Sequence, residues 1–284
     1  RTFADLHRNA NRIAAALVER GVTPGDRFGL VMRNHPEFVE AMIAASITGA
    51  IFVPIDPRTR GDKLAFMLAN SGCAGLVCAD YCVPALEAVR ETLPNLRWTL
   101  VRETTLRDVL SQDAATIDPR VEDPNAPLQI MYTSGTTGDP KGIVGANYRF
   151  CAAGMLGMLF GYRSGDRPYT GLSLTHGNAQ SVTLAPALVM SLRAVFSPRF
   201  TKSRLWDVCR KYGCTTFSLV GGMATAIYSE PPRRDDGDNP VRLVVSGGMP
   251  PAIWRPFEQR FGVEILEFYG AMDGGGMAYK PVGE

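Results

Sequence analysis

The chain is poor in histidine and has no paired-cysteine motif. His7, His35 and His176 are the only histidines in 284 residues, and none of the six cysteines forms a Cys-x-x-Cys pair. That excludes the common zinc patterns. Cys73, Cys78, Cys82, Cys151, Cys209 and Cys214 therefore read as reduced thiols of a cytoplasmic protein. Long apolar runs are also missing. The richest stretch, 155–162, is short and broken by glycine, so no membrane span is expected. Charge of one sign is scarce. Lys and Arg total 30 against 28 Asp and Glu, and a net charge of +2 argues against nucleic acid as a partner. Signal-peptide patterns, internal repeats and low-complexity segments are not visible. What is present is ordinary globular composition, 45% hydrophobic and 20% charged, in a chain long enough for two cores.

The order of elements is alternating. Thr2 followed by Asp5 reads as a capped helix start, and Phe3, Leu6, Ala10, Ile13, Ala14 and Leu17 fall on one helix face before Gly21. Strands are expected at 28–32, 51–55, 75–78 and 97–101, with helices at 36–46, 61–71 and 83–93 between them. A polar, proline-bearing connector, 113–127, leads to an apolar run at 128–132. After a glycine-rich loop and a helix at 147–160 the pattern resumes. Strands are expected at 172–174, 195–196, 216–220, 243–245 and 264–268, and helices near 182–191, 203–212 and 251–261. Such alternation implies mostly parallel sheets covered by helices, with ligands at the carboxyl ends of the strands. The division expected is 1–164 and 165–284.

The organising stretch is the ten residues from Thr133 to Gly142, which read TSGTTGDPKG. Thr133, Ser134, Thr136 and Thr137 bring hydroxyl donors. Gly135, Gly138 and Gly142 let the backbone turn N–H groups into a concavity that suits anions, and Lys141 adds a fixed cation behind the rigid Pro140. A polyphosphate is the simplest ligand, and a plain polar surface turn is the alternative. A Walker A loop fails on spacing, because Lys141 is followed by Gly142 and not by a hydroxyl residue. No dinucleotide fingerprint occurs there.

These ten residues resemble the phosphate-binding signature of adenylate-forming enzymes, the superfamily of acyl-CoA synthetases, adenylation domains and luciferases. The resemblance extends along the chain, with 1–6 and 49–71 similar to early scaffold motifs. It implies an α/β fold of two stacked subdomains, the large domain of such an enzyme without its C-terminal barrel and mobile domain. It also implies an adenine-lining turn at Gly247, Gly248 and Met249. The run from Glu267 to Asp273, EFYGAMD, is similar to the family's tyrosine motif. The resemblance there implies adenine stacking on Tyr269, with Glu267, Phe268 and Gly270 beside it. The family threonine that meets the α-phosphate is replaced by Met272, which cannot donate a hydrogen bond. The family glutamate that holds Mg²⁺ is replaced by the shorter Asp273, which takes that role together with Thr137.

The resemblance further implies that His176 orients or gates the acyl site. Acyl-pocket walls are expected from His176, Asn178, Gly221, Gly222, Met223 and Ala271. Amino-acid-activating relatives carry an aspartate directly after the aromatic position. Gly177 stands there, which argues for an acid without an α-amino group. The implied reaction is attack of a small carboxylic acid on ATP, with Lys141, His176 and Asp273 as catalytic residues, then thioester formation with coenzyme A. A carrier-protein thiol as acceptor and a non-catalytic nucleotide-binding module are the competing readings. The family's ribose-holding aspartate and its mobile-domain lysine are expected beyond Glu284.

Overall fold

The computed structural model describes residues 1–133, 139–271, 277–280 and 282–283. They form two compact units, Arg1–Arg149 and Phe150–Glu284.

In the first unit the elements run α1 (Phe3–Glu19), β1 (Arg27–Val31), α2 (Pro36–Thr48), β2 (Ile51–Pro54), α3 (Gly61–Asn70), β3 (Cys73–Cys78), α4 (Val83–Glu87), β4 (Trp98–Val101), α5 (Thr105–Ser111), β5 (Pro127–Thr133) and β6 (Lys141–Ala146). The N-terminus of α1 is closed by the expected capping box. The Thr2 hydroxyl accepts from the Asp5 N–H at 3.1 Å, and the Asp5 carboxylate accepts from the Thr2 N–H at 2.9 Å. The sheet order is β4-β3-β1-β2-β5-β6. All pairings are parallel except β5 with β6, which is an antiparallel hairpin at the sheet edge. The core between sheet and helices gathers Val53, Ile55, Leu64, Leu68, Leu76 and Leu86. The helix expected over 83–93 is shorter. It ends at Glu87, and a separate 3-10 turn covers Arg90–Thr92.

The second unit continues from α6 (Asn147–Leu159) through β7 (Pro168–Thr170), α7 (Ala185–Val189), β8 (Val195–Phe196), α8 (Leu205–Tyr212), β9 (Thr216–Val220), α9 (Gly221–Tyr228), β10 (Leu243–Gly247), α10 (Trp254–Phe261), β11 (Glu264–Gly270) and β12 (Met277–Lys280). Its order is β12-β11-β10-β9-β7-β8, again parallel except for one edge hairpin, β11 with β12. Most of α6 belongs with this unit. Gly154 and Gly157 bring its backbone against Val189, Ala185, Met190 and Pro186, where a Cβ would meet side chains at 2.3 and 2.6 Å. One aromatic cluster, Trp206, Phe217, Phe257 and Phe261, fills the space under α8 and α10, with Trp206 stacked on Phe261 at 4.5 Å.

The expected strand at 172–174 is displaced to β7, four residues earlier. Tyr169 and Thr170 are buried and pair with β8 and β9, whereas residues past Gly171 leave the sheet. β7 is held at its start by Asp166. That carboxylate takes the Arg242 guanidinium, the Thr215 hydroxyl at 2.7 Å and the Arg163 N–H at 2.7 Å. Burial alone would raise its pKa, yet these partners together hold it below the ordinary value.

Candidate active site

Of the residues expected to bind phosphate, the described ones, Thr133 and Lys141, fall on the hairpin of the first unit. Thr133 closes β5 and faces Lys141, the first residue of β6; Tyr132 faces Gly142. Ser134, Gly135, Thr136, Thr137 and Gly138 lie outside the described residues. The hairpin's base is fixed from one side. The Tyr132 hydroxyl donates to Asn70 Oδ1 at 2.6 Å and lies 3.2 Å from the Met67 carbonyl, tying β5 to the end of α3. Gly142 permits this register, because a Cβ there would stand 2.9 Å from Ile130 and 3.3 Å from the Tyr132 ring. Lys141 is exposed.

The remaining described candidates belong to the second unit, and three of its segments converge at the carboxyl ends of β9, β10 and β11. Gly248 has φ +88°, so the turn after β10 requires glycine. The Met249 N–H that follows donates to Glu267 Oε1 on β11 at 2.7 Å. A carboxylate acceptor makes this the stronger kind of hydrogen bond. Gly221, at the start of α9, lies directly against the same turn. A Cβ there would sit 2.2 Å from the Gly248 carbonyl oxygen, whereas Gly222 faces open space. The Asn178 amide Nδ2 is 3.6 Å from where a Cβ on Gly247 would stand. Residues 178, 221, 247, 249 and 267 are far apart in sequence and adjacent in the fold.

This corner fits a flat polar ligand. Among the described residues Ser246 Oγ, buried near the end of β10, finds no hydrogen-bond partner, and neither do the buried Asn178 Oδ1 and Gln180 Oε1. Unsatisfied buried polar atoms are costly, so natural proteins keep few of them. Tyr269 is 71% exposed, leaving its ring open for stacking, while Phe268 beside it packs on Phe160 at 5.4 Å between ring centres. Met223 and Met249 have buried side chains in the core of this unit, so Met249 meets the turn through its backbone. Gly270 and Ala271 are exposed; Met272 and Asp273 lie outside the described residues.

His176 is exposed in a turn six residues past β7, and its N–H donates to the Ser173 carbonyl at 3.0 Å. A helix begins directly after it, and its first half is π-helical, Ala179–Leu184. The Ala185 N–H reaches back five residues to the Gln180 carbonyl. π-Turns are rare and cluster at functional sites. The sequence carried one signal for this feature, Pro186 inside an otherwise helical pattern, and sequence reasoning missed it.

Among the described residues no helix is long and apolar enough to cross a membrane. The comparisons with known proteins agree with the family and fold that the sequence resembles. The profile of the family described as AMP-binding enzyme matches residues 1–282. The chain is 30% identical to the mouse long-chain fatty acid transport protein 1, covering 96% of this chain and 44% of that protein. It is 31% identical to the medium/long-chain-fatty-acid–CoA ligase FadD6 of Mycobacterium tuberculosis, covering 96% and 47%. The chain thus spans about half the length of the curated relatives it matches. The inhibitor-bound N-terminal domain of FACL13 from M. tuberculosis superposes with a TM-score of 0.89 at 26% identity, covering 97% of this chain and 71% of that one. On the profile match, the shared architecture and the motifs at 133–142 and 267–273, the chain belongs to the AMP-binding enzyme family.

Proposed function

We propose that the full-length protein activates a carboxylic acid with ATP, forms an acyl-adenylate with release of pyrophosphate, and passes the acyl group to coenzyme A. The observation that carries the reading is the convergence in the second unit. Asn178, Gly221, the turn from Ser246 to Met249, and Glu267 meet at the carboxyl ends of three adjacent parallel strands. That is where open α/β sheets bind ligands. In this reading residues 133–142 make the phosphate contacts, and the segments just named make the adenine and acyl contacts.

The chemistry asks little of a protein nucleophile. Carboxylate and ATP are both anionic, so the barrier reflects repulsion and misalignment. Fixed cations and oriented N–H groups lower it. Lys141 is the cation proposed to meet the departing pyrophosphate. Tyr269 offers its open ring to the purine, and His176 orients the acid. Mg²⁺ would add charge neutralisation; the positions proposed to hold it are Thr137 and Asp273. The acid is proposed to be a medium- or long-chain aliphatic one. That class follows the activity by which the M. tuberculosis ligase is named and the absence of a carboxylate at Gly177 to meet an amine.

The test is carboxylate-dependent exchange of labelled pyrophosphate into ATP by the full-length protein, over a panel of aliphatic, alicyclic and aromatic acids. Exchange with medium- or long-chain acids, followed by acyl-CoA formation, is the expected result. Nucleotide binding without exchange on any acid overturns the enzyme reading in favour of a binding module. Transfer only to a carrier protein moves the acceptor from coenzyme A.

A further inference from the structure

The π-helical turn has an identifiable cause. Pro186 has no N–H to give, so the Val182 carbonyl four residues back loses its α-helical donor, and the proline ring crowds it. A side chain from another element replaces the missing donor. The Tyr162 hydroxyl donates to the Val182 carbonyl at 3.0 Å. Tyr162 lies in the core with its ring against Gly157, and burial pushes its ionisation well above the usual phenol range. It therefore stays a neutral donor. Two more buried contacts hold the turn. Thr183 Oγ1 is 3.1 Å from Ser218 Oγ, which bonds Thr170 Oγ1 at 3.1 Å, and Gln180 Nε2 donates to the Leu174 carbonyl at 2.8 Å. The turn is thus anchored to β7, to β9 and to the segment before His176.

The turn also decides where Asn178 points. It inserts one residue into the helix that begins at Gly177, and one residue of register rotates a helix by about 100°. With the π-turn in place the Asn178 amide lies beside Gly247, and Asn178 Oδ1 and Gln180 Oε1 remain buried without a partner among the described residues. If the helix relaxed to regular α geometry, the residues before the turn would face elsewhere relative to α7.

We propose that Tyr162 is a positioning residue for acid selection: by capping the Val182 carbonyl above Pro186 it maintains the π-turn that aims Asn178 into the acyl site. This rests on the acid-activating reading above. The acid recognised through the turn is one whose chain lies along residues 176–180, so the turn acts first on which acids fit; because Asn178 also borders Gly247, its effect on nucleotide binding is smaller but not nil.

The experiment uses full-length protein, the pyrophosphate-exchange assay and three variants: Tyr162→Phe, Pro186→Ala, and both together. Tyr162→Phe removes the hydroxyl and keeps the ring. It is expected to raise KM for the preferred acid roughly tenfold, the scale of one buried hydrogen bond, and to flatten the ratio of kcat/KM between that acid and a shorter one, with a clearly smaller change in KM for ATP. Pro186→Ala restores a backbone donor for Val182 and lets the helix regularise, so it should shift the acid ratio even though Tyr162 is intact. The double variant should regain the thermal stability lost by Tyr162→Phe but keep the altered acid ratio. Unchanged acid ratios in Tyr162→Phe and Pro186→Ala enzymes that still catalyse exchange overturn the inference alone. Equal losses toward acid and ATP mark a merely structural role and overturn it too. If Tyr162→Phe does not fold, the acid ratio of Pro186→Ala decides. Wild-type protein that exchanges with no acid defeats the functional reading at the first step, and the inference with it.

Discussion

Each unit of this chain ends its parallel sheet in one antiparallel hairpin, and a motif of the family begins on the first strand of each, at Thr133 on β5 and Glu267 on β11. They are built differently. In the first unit β5 has seven residues and β6 six; β5 pairs with β2 on its other side, and its end is tied to α3 by the Tyr132 hydroxyl on Asn70 and the Tyr132 ring against Phe66. Lys141, the candidate cation at the start of β6, stands exposed. In the second unit β11 is tied laterally to its parallel neighbour by Glu267 on the Met249 N–H, and below by Phe268 on Phe160. The candidate groups there sit in a corner with buried polar atoms that find no partner among the described residues. The contrast matches the two jobs proposed. Holding a triphosphate takes charge and backbone N–H groups, which work while exposed. Shaping a pocket for a ring and an acyl chain takes packing, and packing leaves traces in a structure before any ligand arrives.

Variants should separate the two regions. The largest effect is expected from Gly221→Ala. Its new methyl would enter the Gly248 carbonyl, a backbone atom that cannot swing away, and the overpacking should cost about 3 kcal/mol. Urea denaturation should show the loss, and KM for ATP should rise with it. Wild-type stability and KM in this variant would show that α9 and the adenine turn are not in contact. Next comes Lys141→Ala, expected to slow exchange by about 2 kcal/mol, the scale of a charged hydrogen bond, with the denaturation midpoint unmoved because the side chain is exposed. A destabilised Lys141→Ala protein would erase the distinction between a functional and a structural hairpin. Tyr132→Phe should cost about 1 kcal/mol in stability by freeing Asn70 and the end of β5. Here a calorimetric midpoint equal to wild type would mean the anchor is ornamental.

The smallest expected effect is one of pH, and it belongs to the second unit. Asp166 is held below the ordinary carboxylate pKa by Arg242 and its other partners despite burial. Its contribution is therefore fully present above the unfolded value of about 4 and is lost as pH falls through the lower, folded value. Asp166→Asn should show a flatter decline in stability below pH ~4 than the parent chain. Parallel acid limbs in the two proteins would remove Asp166 from the account of β7.

Much of this was legible in the sequence where the signals are long. The seventeen-residue α1 shows its face and its capping box, and the ten-residue phosphate signature is unmistakable in its spacing. The failures have physical reasons. β7 has three residues and opens on Pro168, so its pattern is shorter than that of the apolar pair Leu172 and Leu174 that follows it. Proline is tolerated at a strand's first residue, which the pattern does not announce. α9 begins with two glycines, poor helix formers, and was read only as a roomy pocket wall. The structure supplies the missing reason at Gly221, where the Gly248 carbonyl leaves no place for a side chain. The π-turn depends on a tyrosine hydroxyl twenty-four residues before the proline it serves, a pairing no local pattern reveals. The convergence of Asn178, Gly221, Gly247 and Glu267 is likewise a product of strand order.

The most direct measurement is a crystal of the full-length protein soaked with a non-hydrolysable ATP analogue. The account expects the phosphates against the sequence from Thr133 to Gly142, with Lys141 in contact, and the purine between the turn from Gly247 to Met249 and the ring of Tyr269. Nucleotide bound at any other place, with Tyr269 uncovered and Lys141 touching no phosphate, would contradict it.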